Sequence, residues 1–230
     1  MTEVKPVTPG RVFLYVPNLI GYARVAFALL SLVFMKWHPK YCTTLYCVSC
    51  LLDALDGAAA RRLGQTSQFG AILDMVTDRC TTSALICYLC VAYPKYVVVF
   101  QLLVSLDLAS HYMHMYSTLH SGASSHKKVG SQSKLLKLYY TNTNVLFTVC
   151  AANELFFVGL YLCSFPLKTP PYLGYYQGVP LSYATIITVA TFPLWALKQF
   201  LNIVQMQQAA LSLAKGDAQL ANTKLAAKST

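Results

Sequence analysis

Six apolar stretches, at roughly 14–35, 42–60, 71–93, 96–116, 144–166 and 181–206, are each long enough to cross a bilayer. Hydrocarbon offers the backbone no hydrogen-bonding partner, so a chain that crosses it repeatedly must do so as helices. The rest of the composition agrees. Only 11% of the 230 residues are charged, where a soluble domain carries about 25%. The expectation is an all-α integral membrane protein, a bundle of six transmembrane helices forming one domain over residues 1–230. The first apolar run has no small-residue cleavage site after it, so it is expected to stay in the protein.

Charge placement sets the expected orientation. With the N-terminus in the cytosol, the inner segments hold eleven Lys and Arg, among them Arg61, Arg62, Lys127, Lys128 and Lys215. The outer loops hold four, Lys36, Lys40, Lys95 and Lys168. That bias places both termini in the cytosol, with 1–13 as a polar lead and 207–230 as a polar, Ala-rich, weakly helical tail. The segment 117–143 reads as a flexible cytosolic loop, and Pro170, Pro171, Tyr172, Tyr175 and Tyr176 as an interfacial aromatic anchor. No basic stripe with aromatic platforms lies outside the apolar runs, which argues against nucleic acid as a partner. Cys47-x2-Cys50 and Cys87-x2-Cys90 have metal-site spacing, yet all four sit in apolar spans, where cysteine acts as a small hydrophobe.

The acids break the apolar pattern. Four of the chain's eight, Asp53, Asp56, Asp74 and Asp78, fall in one 26-residue window. Carboxylates so placed repel one another strongly unless cations sit among them. Asp53 and Asp56 are three apart and Asp74 and Asp78 four apart, so each pair shares a helix face. The short polar connection Leu63–Gln68 folds one helix back on the other as an antiparallel neighbour, which lets the two acidic faces meet. Four carboxylates make an oxygen-only cage suited to Mg²⁺ or Mn²⁺. Gly57, Ala58, Ala59, Ala60 and Gly70 leave room beside it, although small residues also serve plain helix contact. Arg61 can reach a phosphate oxygen, pair with an acid, or only fix orientation. In the first span Arg24 lies too deep to snorkel easily, so the face that carries it is expected to point into the bundle.

The string Asp53-x2-Asp56-Gly57-x2-Ala60-Arg61-x8-Gly70-x3-Asp74-x3-Asp78 resembles, at every position, the signature of the CDP-alcohol phosphotransferases. Pro17–Arg24, Leu73–Cys80, Ser105–His111 and Asn153–Phe156 are similar to the eukaryotic members that use inositol, so the resemblance covers most of residues 13–165. It implies transfer of the phosphatidyl group of CDP-diacylglycerol to myo-inositol, with release of CMP. It also implies two divalent ions held by Asp53, Asp56, Asp74 and Asp78, with Asp78 as the catalytic base. CDP-diacylglycerol would meet Gly57, Arg61 and Ser67. A homodimer in the endoplasmic reticulum membrane is implied as well.

Other readings stay open at this point. The acceptor alcohol could differ within the family. An Asp-rich membrane prenyltransferase would release pyrophosphate, not CMP. A cation transporter would place its acids near mid-membrane, often with repeat symmetry, and no repeat is visible here. For the acceptor pocket the candidates are Arg79, Asp107, Ser110, His111 and His114. Asp107, His111 and His114 share a helix face, as residues of a second site or as polar groups facing one another inside the bundle.

Overall fold

The computed structural model describes residues 7–120, 134–166, 175–176, 179–180 and 182–228. The protein is helical, with helices at all six of the apolar stretches. Four of the described helices are long and apolar enough to cross a membrane: Val16–Phe34, Pro94–Leu119, Thr143–Cys163 and Tyr183–Lys228. The two other helices expected to span, Pro39–Arg62 and Gln68–Ala92, have 24 and 25 residues and carry the four acids. The chain divides into two compact units, Met1–Ala92 and Tyr93–Thr230.

In the first unit, α1 (Pro9–Phe13) is a single turn inside the expected polar lead. Pro9 opens it, and the Thr8 hydroxyl caps it by accepting from the Arg11 N–H. α2 (Val16–Phe34) follows after a break of two residues. Its buried positions Pro17, Asn18, Gly21, Arg24, Ala28 and Ser31 recur every three or four residues and form one face of small and polar groups. α3 (Pro39–Arg62) buries Cys42, Tyr46 and Ser49 at the same spacing and Asp56 two turns further on. The small groups on these faces, Gly21, Ala28, Ser31, Cys42 and Ser49, let helix backbones approach closely, as helices in lipid require when water supplies no hydrophobic drive. The Ser49 hydroxyl donates to the Arg24 carbonyl at 3.0 Å across this contact.

Gly64 ends α3 with φ +62°, a left-handed turn that glycine adopts without penalty. The Gln65 N–H returns to the Ala60 carbonyl at 3.0 Å, closing the turn characteristic of a glycine-capped helix end. α4 (Gln68–Ala92) starts at once, with the Ser67 hydroxyl accepting from the Gly70 N–H at 3.0 Å. One expectation needs correction here. α3 and α4 are not close-packed neighbours: α2 packs along α3 and across α4, and α3 and α4 share little backbone contact of their own. The reason is the charge they carry. Two acidic faces cannot close on each other, and α2 brings the Arg24 guanidinium between them. Gly21 leaves room at the α2–α4 contact for Leu73, whose Cδ2 a Cβ there would meet at 2.9 Å and push aside.

The second unit holds a 3₁₀ turn (Pro94–Tyr96), α5 (Val97–His120), α6 (Lys134–Thr141), α7 (Thr143–Cys163), the paired dipeptides β1 (Tyr175–Tyr176) and β2 (Val179–Pro180), and α8 (Tyr183–Lys228). α5 and α7 both pack on α8. At one contact a Cβ on Gly159 would collide with the Thr188 hydroxyl, so only hydrogen fits. Leu136, Tyr139, Val149 and Leu201 form a buried cluster joining α6, α7 and α8.

Two further expectations change. Within 117–143, α5 runs on to His120 and Lys134–Thr141 is helical, because Leu136 and Tyr139 on one face of α6 have a core to enter. The remainder of that loop, 121–133, lies outside the described residues, as do Pro170, Pro171 and Tyr172 of the aromatic anchor. The tail is not weakly helical: α8 continues unbroken from the last span to Lys228. Its final part is rich in Ala, Leu, Gln and Lys, all strong helix formers. All eight cysteines are free of disulfides.

Candidate active site

Asp53 and Asp56 stand in the last three turns of α3, and Asp74 and Asp78 in the first three turns of α4. The turn at Gly64 reverses the chain so that both pairs reach the same level. Carboxylate oxygens of Asp53, Asp56 and Asp74 lie within 4.8 Å of one another. The fourth acid, Asp78, joins them through a shared cation. Arg24 Nη1 lies 2.7 Å from Asp56 Oδ2 and 2.5 Å from Asp74 Oδ1, while Nη2 lies 2.7 Å from Asp53 Oδ1 and 2.7 Å from Asp78 Oδ1. Arg79 Nη2 adds a longer contact of 3.6 Å to Asp78 Oδ2.

The donor set fits a hard divalent ion. It consists of carboxylate oxygens alone, clustered at coordination range, and the four converge on a cation already. Access is available, because the Asp53, Asp74 and Asp78 side chains are 42%, 44% and 38% exposed. Asp56 is the buried member of the set.

Beside the carboxylates lies a cavity of about 220 Å³ whose lining includes Asn18, Gly57, Arg61, Ser67, Gly70 and Asp74. The three residues expected to meet the donor, Gly57, Arg61 and Ser67, therefore line the same cavity as Asp74. The Arg61 guanidinium folds back over Gly57, with Nη1 3.4 Å from where a Cβ on Gly57 would be. Asn18 reaches in from α2 and donates to the Val12 carbonyl at 2.6 Å. Gln65 ties the same corner by accepting from the Val16 N–H at 2.9 Å. The signal for Asn18 was its polarity at the start of an apolar span, and for Gln65 its place in the short polar connection Leu63–Gln68.

The polar face of α5 belongs to the second unit. His111 Nδ1 is 2.8 Å from the Asp107 carbonyl oxygen, and Asn202 Nδ2 of α8 donates to Asp107 Oδ1 at 3.4 Å. Gln205 Nε2 donates to the Ser110 carbonyl at 3.4 Å, and the Tyr140 hydroxyl donates to Gln205 Oε1 at 2.7 Å. His114 stacks on the Tyr140 ring. Asp107, Ser110, His111 and His114 thus engage polar and aromatic partners within their own unit, the arrangement expected of buried polar groups in a bundle.

A family model described as CDP-alcohol phosphatidyltransferase matches residues 14–214. The chain belongs to the CDP-alcohol phosphatidyltransferase family. Named relatives agree in detail. The chain is 59% identical over 216 residues to a CDP-diacylglycerol–inositol 3-phosphatidyltransferase of Schizosaccharomyces pombe, covering 90% of this chain and 91% of the relative. It is 51% identical to the enzyme so named in Saccharomyces cerevisiae, over 95% of this chain and 94% of that one. Against the Rattus norvegicus enzyme of that name the figure is 44%, over 90% of this chain and 94% of the relative. No solved structure matches the chain.

Proposed function

We propose that this protein is a phosphatidylinositol synthase: it transfers the phosphatidyl group of CDP-diacylglycerol to myo-inositol and releases CMP. The observation that carries this reading is the convergence of the four signature aspartates beside a cavity lined by Gly57, Arg61 and Ser67, in a chain whose named relatives bear that activity along nearly their whole length.

Asp53, Asp56, Asp74 and Asp78 would hold divalent ions, Mg²⁺ or Mn²⁺. Charge supports two of them. Four carboxylates less one guanidinium leave three negative charges, and the donor's diphosphate brings more. When bound, the ions supply charge neutralisation of the diphosphate and stabilise the departing CMP. The chain's own residues do the rest. Gly57 keeps the cavity wall low enough for the nucleotide to approach closely. Arg61 meets the diphosphate, and its fork suits phosphate oxygens. The Ser67 hydroxyl is held at the cavity edge by the Gly70 N–H and offers its proton to the donor.

Asp78 takes the proton of the attacking inositol hydroxyl. The inositol oxygen forms a bond to the phosphorus bearing diacylglycerol, and the bond from that phosphorus to the CMP oxygen breaks in line with it. Positioning and charge neutralisation supply most of the acceleration in such transfers.

The acyl chains of the donor stay in lipid while its headgroup reacts, which suits a site at the end of membrane helices. We read the chain as one family domain over residues 1–230 with six spans, α2, α3, α4, α5, α7 and α8, and both termini in the cytosol. The eleven-to-four excess of Lys and Arg on that side supports this orientation. An endoplasmic reticulum location and a homodimer complete the reading, on family resemblance.

The test is CMP release from CDP-diacylglycerol in mixed micelles, with and without myo-inositol and with and without Mg²⁺ or Mn²⁺. CMP should appear only when inositol and metal are both present, matched mole for mole by phosphatidylinositol, and EDTA should stop it. Release of pyrophosphate, turnover with serine or glycerol phosphate in place of inositol, or full activity in EDTA would each overturn the assignment.

A further inference from the structure

Among the described residues Arg24 has an unusual place. It is 2% exposed and lies on α2, which contributes no acid to the cluster. Each terminal nitrogen is shared between one acid of α3 and one of α4: Nη1 between Asp56 and Asp74, Nη2 between Asp53 and Asp78. The third nitrogen, Nε, is buried with no hydrogen-bond partner. The fork is therefore turned wholly onto the carboxylates, and a buried donor goes unmatched to keep it there. The backbone is pinned as well, since the Arg24 carbonyl accepts from Ser49.

We propose that Arg24 is the resident counter-cation of the carboxylate cluster, a positioning residue that sets the spacing of the four aspartates and competes with divalent ions for the same oxygens. This rests on the metal-binding reading above and goes beyond it. Arg24 pulls in two directions. It holds four mutually repelling groups together, so the first unit keeps its fold when divalent ions are scarce. It also offers those groups a tethered partner that incoming ions must displace or share, so it weakens their binding. Of the two effects on ion affinity, competition wins. Without Arg24 the turn at Gly64 still ties α3 to α4 and keeps the carboxylates within reach of an ion, while the local charge falls from three negative to four.

The experiment uses the purified full chain in detergent, as wild type, Arg24→Gln and Arg24→Lys. Mn²⁺ binding is followed by electron paramagnetic resonance, and thermal unfolding is measured in EDTA and in saturating Mn²⁺. Arg24→Gln should bind Mn²⁺ roughly tenfold more tightly or better, since even at the dielectric of water a unit charge about 5 Å from a dication is worth that factor. It should unfold at lower temperature than wild type in EDTA and recover most of the difference in Mn²⁺. Arg24→Lys keeps the charge without the fork, and should fall between the two. A side chain that only filled space would shift the unfolding temperature in EDTA and Mn²⁺ alike, and would leave Mn²⁺ affinity unmoved.

The inference is overturned if both variants bind Mn²⁺ no more tightly than wild type. The same holds if Arg24→Gln fails to fold even in Mn²⁺ while Arg24→Lys shows wild-type affinity. Folded wild type that binds no Mn²⁺ at all would overturn the metal reading itself, and this inference with it.

Discussion

Gly70→Ala probes the cavity beside the four acids without touching a carboxylate. An ideal Cβ at Gly70 falls 2.7 Å from Asn18 Oδ1 and 3.1 Å from Ser67 Oγ, where ordinary contact begins near 3.4 Å. Asn18 must give way by about 0.7 Å, and it has little freedom to do so. It is 1% exposed and its amide nitrogen is committed to the Val12 carbonyl at 2.6 Å. Overpacking of this kind costs about 1–3 kcal/mol, and strain on the Asn18 hydrogen bond adds up to about 1 kcal/mol. Replacing a helical glycine by alanine returns about 1 kcal/mol. The net is a destabilisation of up to about 3 kcal/mol, with its strain centred on three residues that line the cavity.

If the donor nucleotide occupies that cavity, the KM for CDP-diacylglycerol should rise about tenfold, equivalent to about 1.4 kcal/mol. The turnover number at saturating donor should change far less, because all four aspartates keep their places. CMP-release kinetics at fixed saturating inositol measure both. The cause is isolated by the double variant with Asn18→Ala, which removes the colliding amide: in that background Gly70→Ala should cost little more. An unchanged KM in the single variant would remove the cavity as the donor site. An equal penalty in both backgrounds would refute the clash.

Asp78→Asn should abolish synthesis while binding of CDP-diacylglycerol partly survives, since the neutral amide cannot accept the inositol proton. Near-normal turnover by that variant would take Asp78 out of the role of base. Gly159→Ala should destabilise the second unit by roughly 1–3 kcal/mol, because its Cβ meets the Thr188 backbone nitrogen at 3.2 Å as well as the hydroxyl. Thermal unfolding in detergent checks this, and Thr188→Ala should relieve only part of the loss.

The positions of the long helices were legible because hydrocarbon imposes a simple requirement, an apolar run of sufficient length. The observed α2, α4 and α7 begin and end within a few residues of the stretches read from the sequence. The acidic pairs were legible because three- and four-residue spacing fixes a helix face, and because glycine at position 64 ends α3 on schedule. What the pattern could not supply was the third partner. The depth of Arg24 showed that it faces inward, but not that it stands among the four acids. That depends on the path of α2 across two other helices, a tertiary contact with no period of its own.

α6 was missed for a related reason. Eight residues with a polar side resemble a loop until Leu136 and Tyr139 find Leu201. The continuity of α8 past residue 206 was underestimated because polarity ended the apolar run without ending the helix-forming residues.

The reversal at Gly64 has a further consequence. It works as a gauge block: the number of residues from Asp56 to Asp74 sets both the height and the rotation at which the second helix presents its acids. One residue inserted or removed within the helical part of that stretch would swing Asp74 and Asp78 by about 100° around their axis and aim them into lipid. Surface loops elsewhere tolerate added length, whereas this short corner is held to its count by the four acids it has to align.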